Sequence, residues 1–381
     1  MSARVISMTE CKDVRVLRTI DDIGKENVDS ISEDGFFTYG YFKTLETAKP
    51  YNIVLFYLAV YDGGNVVAVV PCYVDLDDRF YGLDGKLPFS GSIVGVANRM
   101  GFCLNRLVVC YSPNSYHSKI FIRKGYDGKM VLDLLSRRVD DLCRKEKILF
   151  SSFVHVPESE RLLIEHLEDV GYKKFPSVNI HNLDIQWSSF DDYLESLESS
   201  KVRKDIRREI RKCQENGVTI VEETEFGELS LTLSNLHSNL ISKYHKGAKS
   251  SYDSSFFRNL VKYARDKTRV FIAKRYGKIL GFSLSLQHRD ILDTYLVGFD
   301  YGIRTSTDFA YFNLLFYAPI KLAIEKRYKR IHFSINGEKE KLKRGCKLEK
   351  TYTFSNCHNS ILRPVYNLYS KRRMSDRVDA A

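Results

Sequence analysis

Residues 269-RVFIAKRYGKILGFSLSLQHRDILDTYLVGF-299 contain the pattern that predicts the fold of the second half of this 381-residue chain. It contains three runs rich in β-branched, aromatic and other apolar residues, at Arg269 to Tyr276, Ile279 to Gln287 and Asp290 to Phe299. Runs of this kind predict strands, and the intervening Gly277-Lys278 predicts a tight turn. The pattern therefore indicates an antiparallel meander of three strands.

The sequence after the meander predicts a fixed order of further elements. Asp308 is placed to cap a long helix that ends near Lys326. This helix is apolar almost all round and contains Pro319, which is typical of a buried central helix with a kink. The remaining segments predict a strand, a short helix and a closing strand, at Arg330 to Ile335, Glu338 to Arg344 and Thr351 to Asn356.

The first half of the chain repeats this order. A hairpin, a third strand, a helix, a strand and a second helix are predicted at Asn52 to Val74, Leu107 to Cys110, Lys129 to Lys145, Ile148 to Val156 and Pro157 to Val170. The two halves are hardly alike residue by residue, so architecture rather than sequence is repeated. We therefore predict an α+β protein of two tandem domains, residues 1–186 and 187–381.

The basic surplus of the chain is concentrated in two short stretches. Lys and Arg number 59 against 48 Asp and Glu, which gives a net charge of +11 and a pI near 9.1. Residues 201–216 hold seven basic and three acidic side chains, and residues 321–350 hold eleven and four. The rest of the chain is neutral. Such clustering favours a binding site for an anion, although two solvated helix faces are the plain alternative.

Residues 201–216 predict an amphipathic helix between the two halves. Val202, Ile206, Ile210 and Cys213 form an apolar stripe at helical spacing. Basic side chains form two rows beside it, Arg203, Arg207 and Arg211 in one and Lys204 and Arg208 in the other. One face is suited to packing and the other to meeting anions.

Several classes of protein are excluded by what the sequence lacks. It contains no GxxxxGK[ST], GxGxxG, HExxH or GxSxG motif, and no apolar run is long enough to span a membrane. The start has no signal-peptide pattern, so we expect a soluble, cytoplasmic protein. His181, His288 and His332 lie in strand-like runs and are interpreted as packed residues. No metal-ligand spacing is formed by the eight cysteines, 11, 72, 103, 110, 143, 213, 346 and 357.

Two segments of the chain resemble a known family. KVRKDIRREIRKCQENGVTI (201–220) and YKRIHFSINGEKEKLKRGCKLEKTYTF (328–354) are similar to the basic helix and the late strand–glycine–lysine segment of FemABX-like N-acyltransferases. Together with the repeated order of elements, the resemblance implies two tandem acetyltransferase-type (GNAT) folds. Leu342 and Cys346 replace aromatic residues of the family pattern, and the phosphate-cradling loop of CoA-dependent members is absent.

The resemblance implies transfer of an acyl group to an amine and places the motif lysine at Lys343, where it would stabilise an oxyanion. The amine must lose a proton, for which Glu338 is the first candidate and Asp293 the second. Tyr295, Tyr311 and Asn336 are candidates for positioning the acceptor. Donor phosphates would be bound by Arg203, Lys204, Arg207, Arg208, Lys341 and Arg344. The alternative to each of these functional roles is a structural one, in which the side chain lies in a solvated basic turn, balances a neighbouring charge or packs in the core.

Three functions stay open at this point. The favoured one is an aminoacyltransferase that uses aminoacyl-tRNA as co-substrate and acts on an amine of a small metabolite or cell-wall precursor. The second is an acyl-CoA-dependent N-acyltransferase, and the third is an RNA-binding protein on a decayed acyltransferase fold. We expect no metal and no tightly bound cofactor, and the residues give no prediction of the oligomeric state.

Overall fold

Two mixed β-sheets form the framework of the chain. The computed structural model describes residues 13–75, 107–246 and 248–378. The predicted meander is confirmed as three consecutive antiparallel strands, with Arg275 paired to Lys278 across the first turn. The described strands are β1 Asp13–Leu17, β2 Ile53–Asp62, β3 Asn65–Asp75, β4 Leu107–Cys110, β5 Phe121–Ile122, β6 Phe150–Pro157, β7 Lys173–Pro176, β8 Ile180–Asp184, β9 Val218–Glu223, β10 Thr268–Arg275, β11 Lys278–His288, β12 Ile291–Phe299, β13 Arg330–Phe333, β14 Lys347–Glu349 and β15 Thr351–Cys357.

The helices lie where helical spacing and caps predict them in most of the chain. The described ones are α1 Lys25–Ile31, α2 Tyr39–Ala48, α3 Gly128–Lys145, α4 Arg161–Asp169, α5 Phe190–Ser196, α6 Ser200–Glu215, α7 Ser230–Tyr244, α8 Ser254–Ala264, α9 (Ala310–Phe312 and Ala318–Glu325, joined by a π-helical turn at Asn313–Tyr317), α10 Glu338–Lys343 and α11 Arg363–Val378. None of them combines the length and apolarity needed to cross a bilayer.

The first compact unit is built on a sheet with the strand order β1-β2-β3-β4-β6-β15-β7, and β5 pairs with β3. The unit comprises Met1–Ile31, Tyr51–Asn179 and Glu349–Ala381. Helix α3 packs its apolar stripe into the core of this unit, where Val131, Leu135 and Val139 are almost fully buried. The stripe thus marks the face that contacts the sheet.

The second compact unit comprises Ser32–Pro50 and Ile180–Leu348, and its sheet has the order β14-β8-β13-β12-β11-β10-β9. The predicted stripe of α6 faces the core, since Ile206 and Cys213 are buried. Helix α2 belongs to this unit although it lies early in the chain. Gly40 of α2 approaches the Tyr263 carbonyl so closely that a Cβ would lie 2.2 Å from its oxygen, so only glycine fits there.

The unit boundaries differ from the single division predicted at 186/187. The strand expected to close the second sheet, β15, instead pairs with β6 and β7 in the first sheet. In return β8, from the first half of the chain, pairs with β13 in the second sheet. Each sheet therefore contains one strand from the other half of the sequence. Local pattern cannot reveal such an exchange, because it depends on which distant edge each strand pairs with.

Strands β12 and β13 diverge soon after they meet. They pair in parallel over Ile291–Asp293 and Arg330–His332 only, while β12 continues to Phe299 beside β11. The β11–β12 ladder shifts register between Leu284 and Ser285, which leaves Tyr295 as the extra residue of a bulge. The Thr294 hydroxyl lies at the point of divergence, donating to the His332 carbonyl (3.1 Å) and accepting from the Ser334 N–H (3.3 Å).

Helix α9 is the buried central helix that the sequence predicts, and Pro319 accounts for its irregularity. The Ala318 N–H bonds to the Asn313 carbonyl, five residues back, and Pro319 has no N–H to offer the next carbonyl, that of Leu314. The Ser283 hydroxyl on β11 donates to this carbonyl at 2.7 Å. A side chain of the sheet thus satisfies the backbone group that the proline leaves open.

The six described cysteines, Cys72, Cys110, Cys143, Cys213, Cys346 and Cys357, are buried free thiols. Cys11 and Cys103 lie outside the described residues. Burial raises the pKa of the Cys213 thiol to about 11 and that of Cys346 to about 12. These two thiols are therefore protonated near neutral pH and act as small apolar core residues.

Candidate functional site

The carboxyl end of β13 brings an acid–base pair together. The parallel register sets Asp293 beside His332, and their Oδ1 and Nδ1 atoms lie 2.8 Å apart. The Gly35 N–H donates to the other carboxylate oxygen at 2.8 Å. Asp293 and His332 are 1% and 6% exposed. A carboxylate that accepts from Nδ1–H fixes the tautomer in which Nε2 carries the lone pair, which is the arrangement of a general base.

A second group of polar side chains lies around the backbone carbonyl of Ser334, just after β13. The Ser334 carbonyl accepts a hydrogen bond from the Lys341 ammonium, and the His181 Nδ1 lies 3.4 Å from the same oxygen. The His181 Nε2 lies 3.7 Å from a carboxylate oxygen of Glu338. We use the name β13-end cluster for this second group together with the acid–base pair and Thr294. Its members are His181, Asp293, Thr294, His332, Glu338 and Lys341.

Burial sets the charge state of the cluster. Lys341 is 4% exposed, and desolvation lowers its pKa to about 8. His181 is fully buried, and desolvation together with the nearby Lys341 ammonium lowers its pKa below the usual value. At neutral pH the cluster therefore contains a neutral imidazole beside a lysine that is still mostly protonated. This cation is held by a backbone carbonyl in a site with little water.

Three tyrosines line the β12 side of the cluster. The Tyr295 hydroxyl donates to the Tyr252 hydroxyl (2.9 Å) and lies 3.3 Å from that of Tyr41. The rings of Phe36 and Phe256 contact this group edge-on or tilted, at 4.9 Å from Tyr295 and 4.6 Å from Tyr252. The bulge turns Tyr295 into this aromatic group, two residues after Asp293. Its predicted role in positioning an acceptor stays a prediction.

The other predicted catalytic and acceptor residues lie apart from the buried part of the cluster. Lys343 is on the outward face of α10, where its ammonium lies 2.8 Å from the Glu340 carboxylate. Asn336 is exposed in the turn before α10. Tyr311 packs on Phe299 at the start of α9, and burial raises the pKa of its hydroxyl. Helical spacing explains the difference between Lys341 and Lys343, because residues two apart on a helix point to different sides.

Arg344 differs from the predicted phosphate ligand, because it is buried and neutralised within the second unit. It is 3% exposed, and its guanidinium lies 3.1 Å from the Glu209 carboxylate and 2.8 Å from that of Glu340. The Tyr317 hydroxyl donates to Glu209 and lies 2.9 Å from the guanidinium. The ring of Phe312 lies 4.4 Å below it. Lys341 is also turned inward, so neither side chain offers its charge to solvent.

The remaining predicted phosphate ligands lie on the solvent side of α6. Arg203 and Arg207 both contact Glu195, and Arg208 contacts Asp205 at 3.1 Å. Lys204 is exposed. Such surface ion pairs are worth about 0–1 kcal/mol, so a phosphate can replace the carboxylates at little cost. The basic face that the sequence predicts is thus present on α6.

The sequence contains a signal for only one of the two buried histidines of the cluster. His181 and His332 are packed strand residues, as interpreted, since both are buried. His332 lies near the carboxyl end of a strand that follows a long helix and is therefore parallel to a neighbour. Sites in sheets with parallel strands form at such ends, which could have singled out His332. Nothing local to His181 could have done so, because β8 reaches this sheet from the other half of the chain.

The fold and the site define the class of protein. Each unit contains an antiparallel meander, a helix and a strand parallel to the last strand of the meander, which is the predicted tandem GNAT-type arrangement. The chain belongs to the FemAB-like family of peptidoglycan biosynthesis and recognition, which it matches over residues 19–380. Family membership confirms the resemblance seen in the sequence and the predicted class of enzyme, an acyltransferase.

Solved structures support the fold. The chain is similar to FemX, with a TM-score of 0.60 and 13% identity over 93% of this chain and 100% of that one. It is also similar to the C-terminal domain of a proposed lysylphosphatidylglycerol synthetase from Agrobacterium fabrum (TM-score 0.55, 12% identity, 92% and 96% covered). L-PGS from Bacillus licheniformis is similar as well, with a TM-score of 0.51 and 14% identity over 83% of this chain and 88% of that one. The comparison with curated proteins gave no significant match.

Proposed function

We propose that the chain transfers an aminoacyl or acyl group from an activated ester, with aminoacyl-tRNA as the favoured donor, to an amine of a small metabolite or cell-wall precursor. The observation that carries the proposal is the β13-end cluster. An Asp–His pair lies where β12 and β13 diverge, and a buried ammonium, that of Lys341, bonds to the Ser334 carbonyl two residues further along the chain. Acyl transfer needs a base for the amine and a cation for the oxyanion, and we assign these two roles to the pair and to the ammonium.

The Asp293–His332 pair is suited to the proton transfer. As the amine nitrogen attacks the carbonyl carbon of the donor, the new C–N bond forms and the nitrogen must lose a proton. His332 accepts this proton at Nε2, and Asp293, 2.8 Å from Nδ1, stabilises the resulting imidazolium. The proton then passes to the ribose oxygen that leaves when the ester C–O bond breaks. In this assignment Asp293, the second sequence candidate for the base, orients and stabilises His332 and does not itself take the proton of the amine.

Lys341 is suited to stabilising the oxyanion. It is buried and keeps most of its charge below its pKa of about 8. A cation in a site of low polarity stabilises a developing negative charge more strongly than a solvated one does. Lys343, implied for this role by the family resemblance, is exposed and paired with Glu340. We therefore assign the role to Lys341, two residues earlier on the same helix.

The start of α9 supports a donor other than acyl-CoA. In a CoA-dependent site, backbone N–H groups at a helix start after a strand would receive the pyrophosphate. Here the Thr305 and Ala310 N–H groups both donate to the Asp308 carboxylate, at 2.7 and 3.0 Å, and Asp308 is fully buried. The Asp308 carboxylate thus already accepts the backbone N–H groups that a pyrophosphate would need. The solvated basic face of α6 suits the phosphates of an RNA donor instead.

The donor is tested by supplying both candidates together. The protein is incubated with a mixed pool of charged tRNA, a panel of acyl-CoA thioesters and a panel of amines, and the consumption of each donor is followed. We expect loss of the aminoacyl ester that ribonuclease abolishes. Release of free thiol from acyl-CoA would instead support the second function. Tight RNA binding with a steep salt dependence and no turnover would support a non-catalytic RNA-binding protein.

The roles of the lysines are tested by Lys341→Met and Lys343→Met, which each remove one ammonium from the same short helix. Loss of one oxyanion donor lowers kcat by roughly 100- to 1000-fold, and we expect this loss for Lys341→Met with a much smaller one for Lys343→Met. The reverse order would assign the role to Lys343. His332→Gln should lower kcat by roughly 100-fold or more.

A further inference from the structure

The turn between β10 and β11 presents an aromatic ring to solvent in an unfavourable backbone conformation. Tyr276 is 89% exposed and has a φ of 48°, and Gly277 follows with a φ of 76°. Two residues of positive φ form the tight hairpin turn that usually contains Asn-Gly. A tyrosine in the first position costs about 1 kcal/mol relative to glycine, so neither turn geometry nor core packing explains it.

The ring stands at the edge of an open cleft of about 650 Å³. The ring and its hydroxyl lie close to the backbone of Gly217, where an added Cβ would lie 3.5–3.8 Å from them. The Arg275 guanidinium donates to the Ile303 carbonyl at 2.7 Å, which holds the loop before α9 against this turn. The ring thus contacts the backbone of Gly217 and is otherwise largely open to solvent.

The cleft is positively charged. Arg275 and Lys278 flank Tyr276, and neither forms an ion pair with another of the described residues. The one acidic residue of the lining, Glu215, is already engaged by Lys212 at 2.7 Å and by Arg211 at 3.5 Å. These two cations belong to the basic helix α6. An open aromatic face beside uncompensated cations is the arrangement that binds a nucleotide, with its base stacked and its phosphate neutralised.

The sheet places this turn on the same edge as the β13-end cluster. Strands β12 and β13 run parallel, and Gly281 of β11 lies opposite Phe299 at the end of β12. The β10–β11 turn therefore lies at the carboxyl ends of both strands. Because β12 continues six residues beyond Asp293, the turn is about 20 Å from the cluster along the strand direction. An extended strand of a few nucleotides would cover this distance.

We propose that Tyr276, Arg275 and Lys278 bind an unpaired nucleotide of the donor RNA, with the base stacked on Tyr276. The proposal rests on the proposed function, because it takes the donor to be an RNA ester whose acyl end reaches the cluster. A nucleotide held here fixes the distance between the RNA and the reacting carbonyl. The adenosine part of CoA has the same chemistry of base and phosphate, so the test includes it.

The proposal is tested by fluorescence anisotropy with a labelled single-stranded RNA and with a duplex RNA of the same length. Stacking of one base is worth roughly a five- to 100-fold change in affinity, and we expect Tyr276→Ala to weaken single-strand binding about tenfold. Tyr276→Phe keeps the ring and should bind like the parent. Tyr276→Asn removes the ring but suits the turn, so its equal loss of affinity excludes a folding defect. Tyr244→Ala removes another exposed ring, on α7, and is the matched control.

The charge of the cleft is tested by Lys278→Gln, which should weaken binding and reduce the salt slope by about one. Duplex binding should not depend on Tyr276. Unchanged single-strand affinity in both Tyr276→Ala and Tyr276→Asn would overturn the proposal. So would binding of adenosine 3′,5′-bisphosphate that depends on Tyr276 when single-stranded RNA does not bind, because the nucleotide would then come from CoA.

Transfer assays separate this site from the proposed function. If charged tRNA is consumed and Tyr276→Asn keeps the parent KM, the function stands and the nucleotide site is wrong. If RNA binding depends on Tyr276 but no donor ester is consumed, the nucleotide site stands and the proposed function is wrong. A rise in KM for charged tRNA in Tyr276→Asn, with kcat retained, supports both.

Discussion

The Arg344→Met variant separates a structural role of this side chain from the phosphate-binding role predicted from the sequence. Arg344 is 3% exposed and contacts the carboxylate of Glu209, which is itself 8% exposed. Methionine is close in length and keeps the contact with the aromatic rings, so the variant removes charge rather than volume. It leaves Glu209 buried with the Tyr317 hydroxyl as its remaining partner.

The size of the effect follows from burial. Removing one partner of a buried ion pair costs about 3–5 kcal/mol, because the other charge stays in the protein without compensation. Arg344 also donates to Glu340, which is more exposed and can turn to water at small cost. We therefore expect Arg344→Met to lower the free energy of unfolding of the second unit by about 3–4 kcal/mol. Adding Glu209→Gln should recover part of this loss, because it removes the uncompensated charge.

The single tryptophan of the chain provides the assay. Trp187 lies in the second unit with its ring centroid 5.0 Å from that of Tyr193, whose hydroxyl donates to the Arg344 carbonyl. Chemical denaturation followed by tryptophan fluorescence therefore reports on this unit and on the neighbourhood of the ion pair. A loss below 1 kcal/mol together with weakened RNA or CoA binding would refute the structural assignment and restore the phosphate-binding role.

Three further variants test the site and the central helix. Between about pH 8 and pH 10.5 the folded chain holds fewer protons at Lys341 than the unfolded chain does. The free energy of unfolding of the parent, minus that of Lys341→Met, should therefore rise by about 3 kcal/mol over this range, which denaturation at a series of pH values would measure. Gly35→Ala places a Cβ 2.5 Å from that of Leu286, so we expect a loss of about 1–3 kcal/mol and, in activity assays, a reduced kcat from the displaced Asp293. Ser283→Ala leaves a carbonyl of α9 unsatisfied and should cost about 1 kcal/mol in the same denaturation assay, whereas Ser283→Thr should retain most of it.

The candidate site was only partly predictable from the residues. Asp293 and Glu338 were singled out because the reaction needs a carboxylate, and both lie in the β13-end cluster. Their partners are set by the placement of β13 between β12 and β8, which brings His332 to Asp293 and His181 to Glu338. Lys341 and Lys343 have the same chemistry and differ by two positions, so the direction of α10 decides which one is buried.

Local sequence patterns account for most of the helices and strands, for their repeated order and for the family resemblance, because strand periodicity, turn residues, helix caps and apolar stripes act over a few residues. The charge clusters and the basic face of α6 were also local features. Three features follow only from the folded chain: the exchange of β8 and β15 between the sheets, the pairing of Asp293 with His332, and the burial of Lys341 and Arg344. These depend on contacts between distant segments and on desolvation, which sets whether a charged side chain meets solvent or a buried partner.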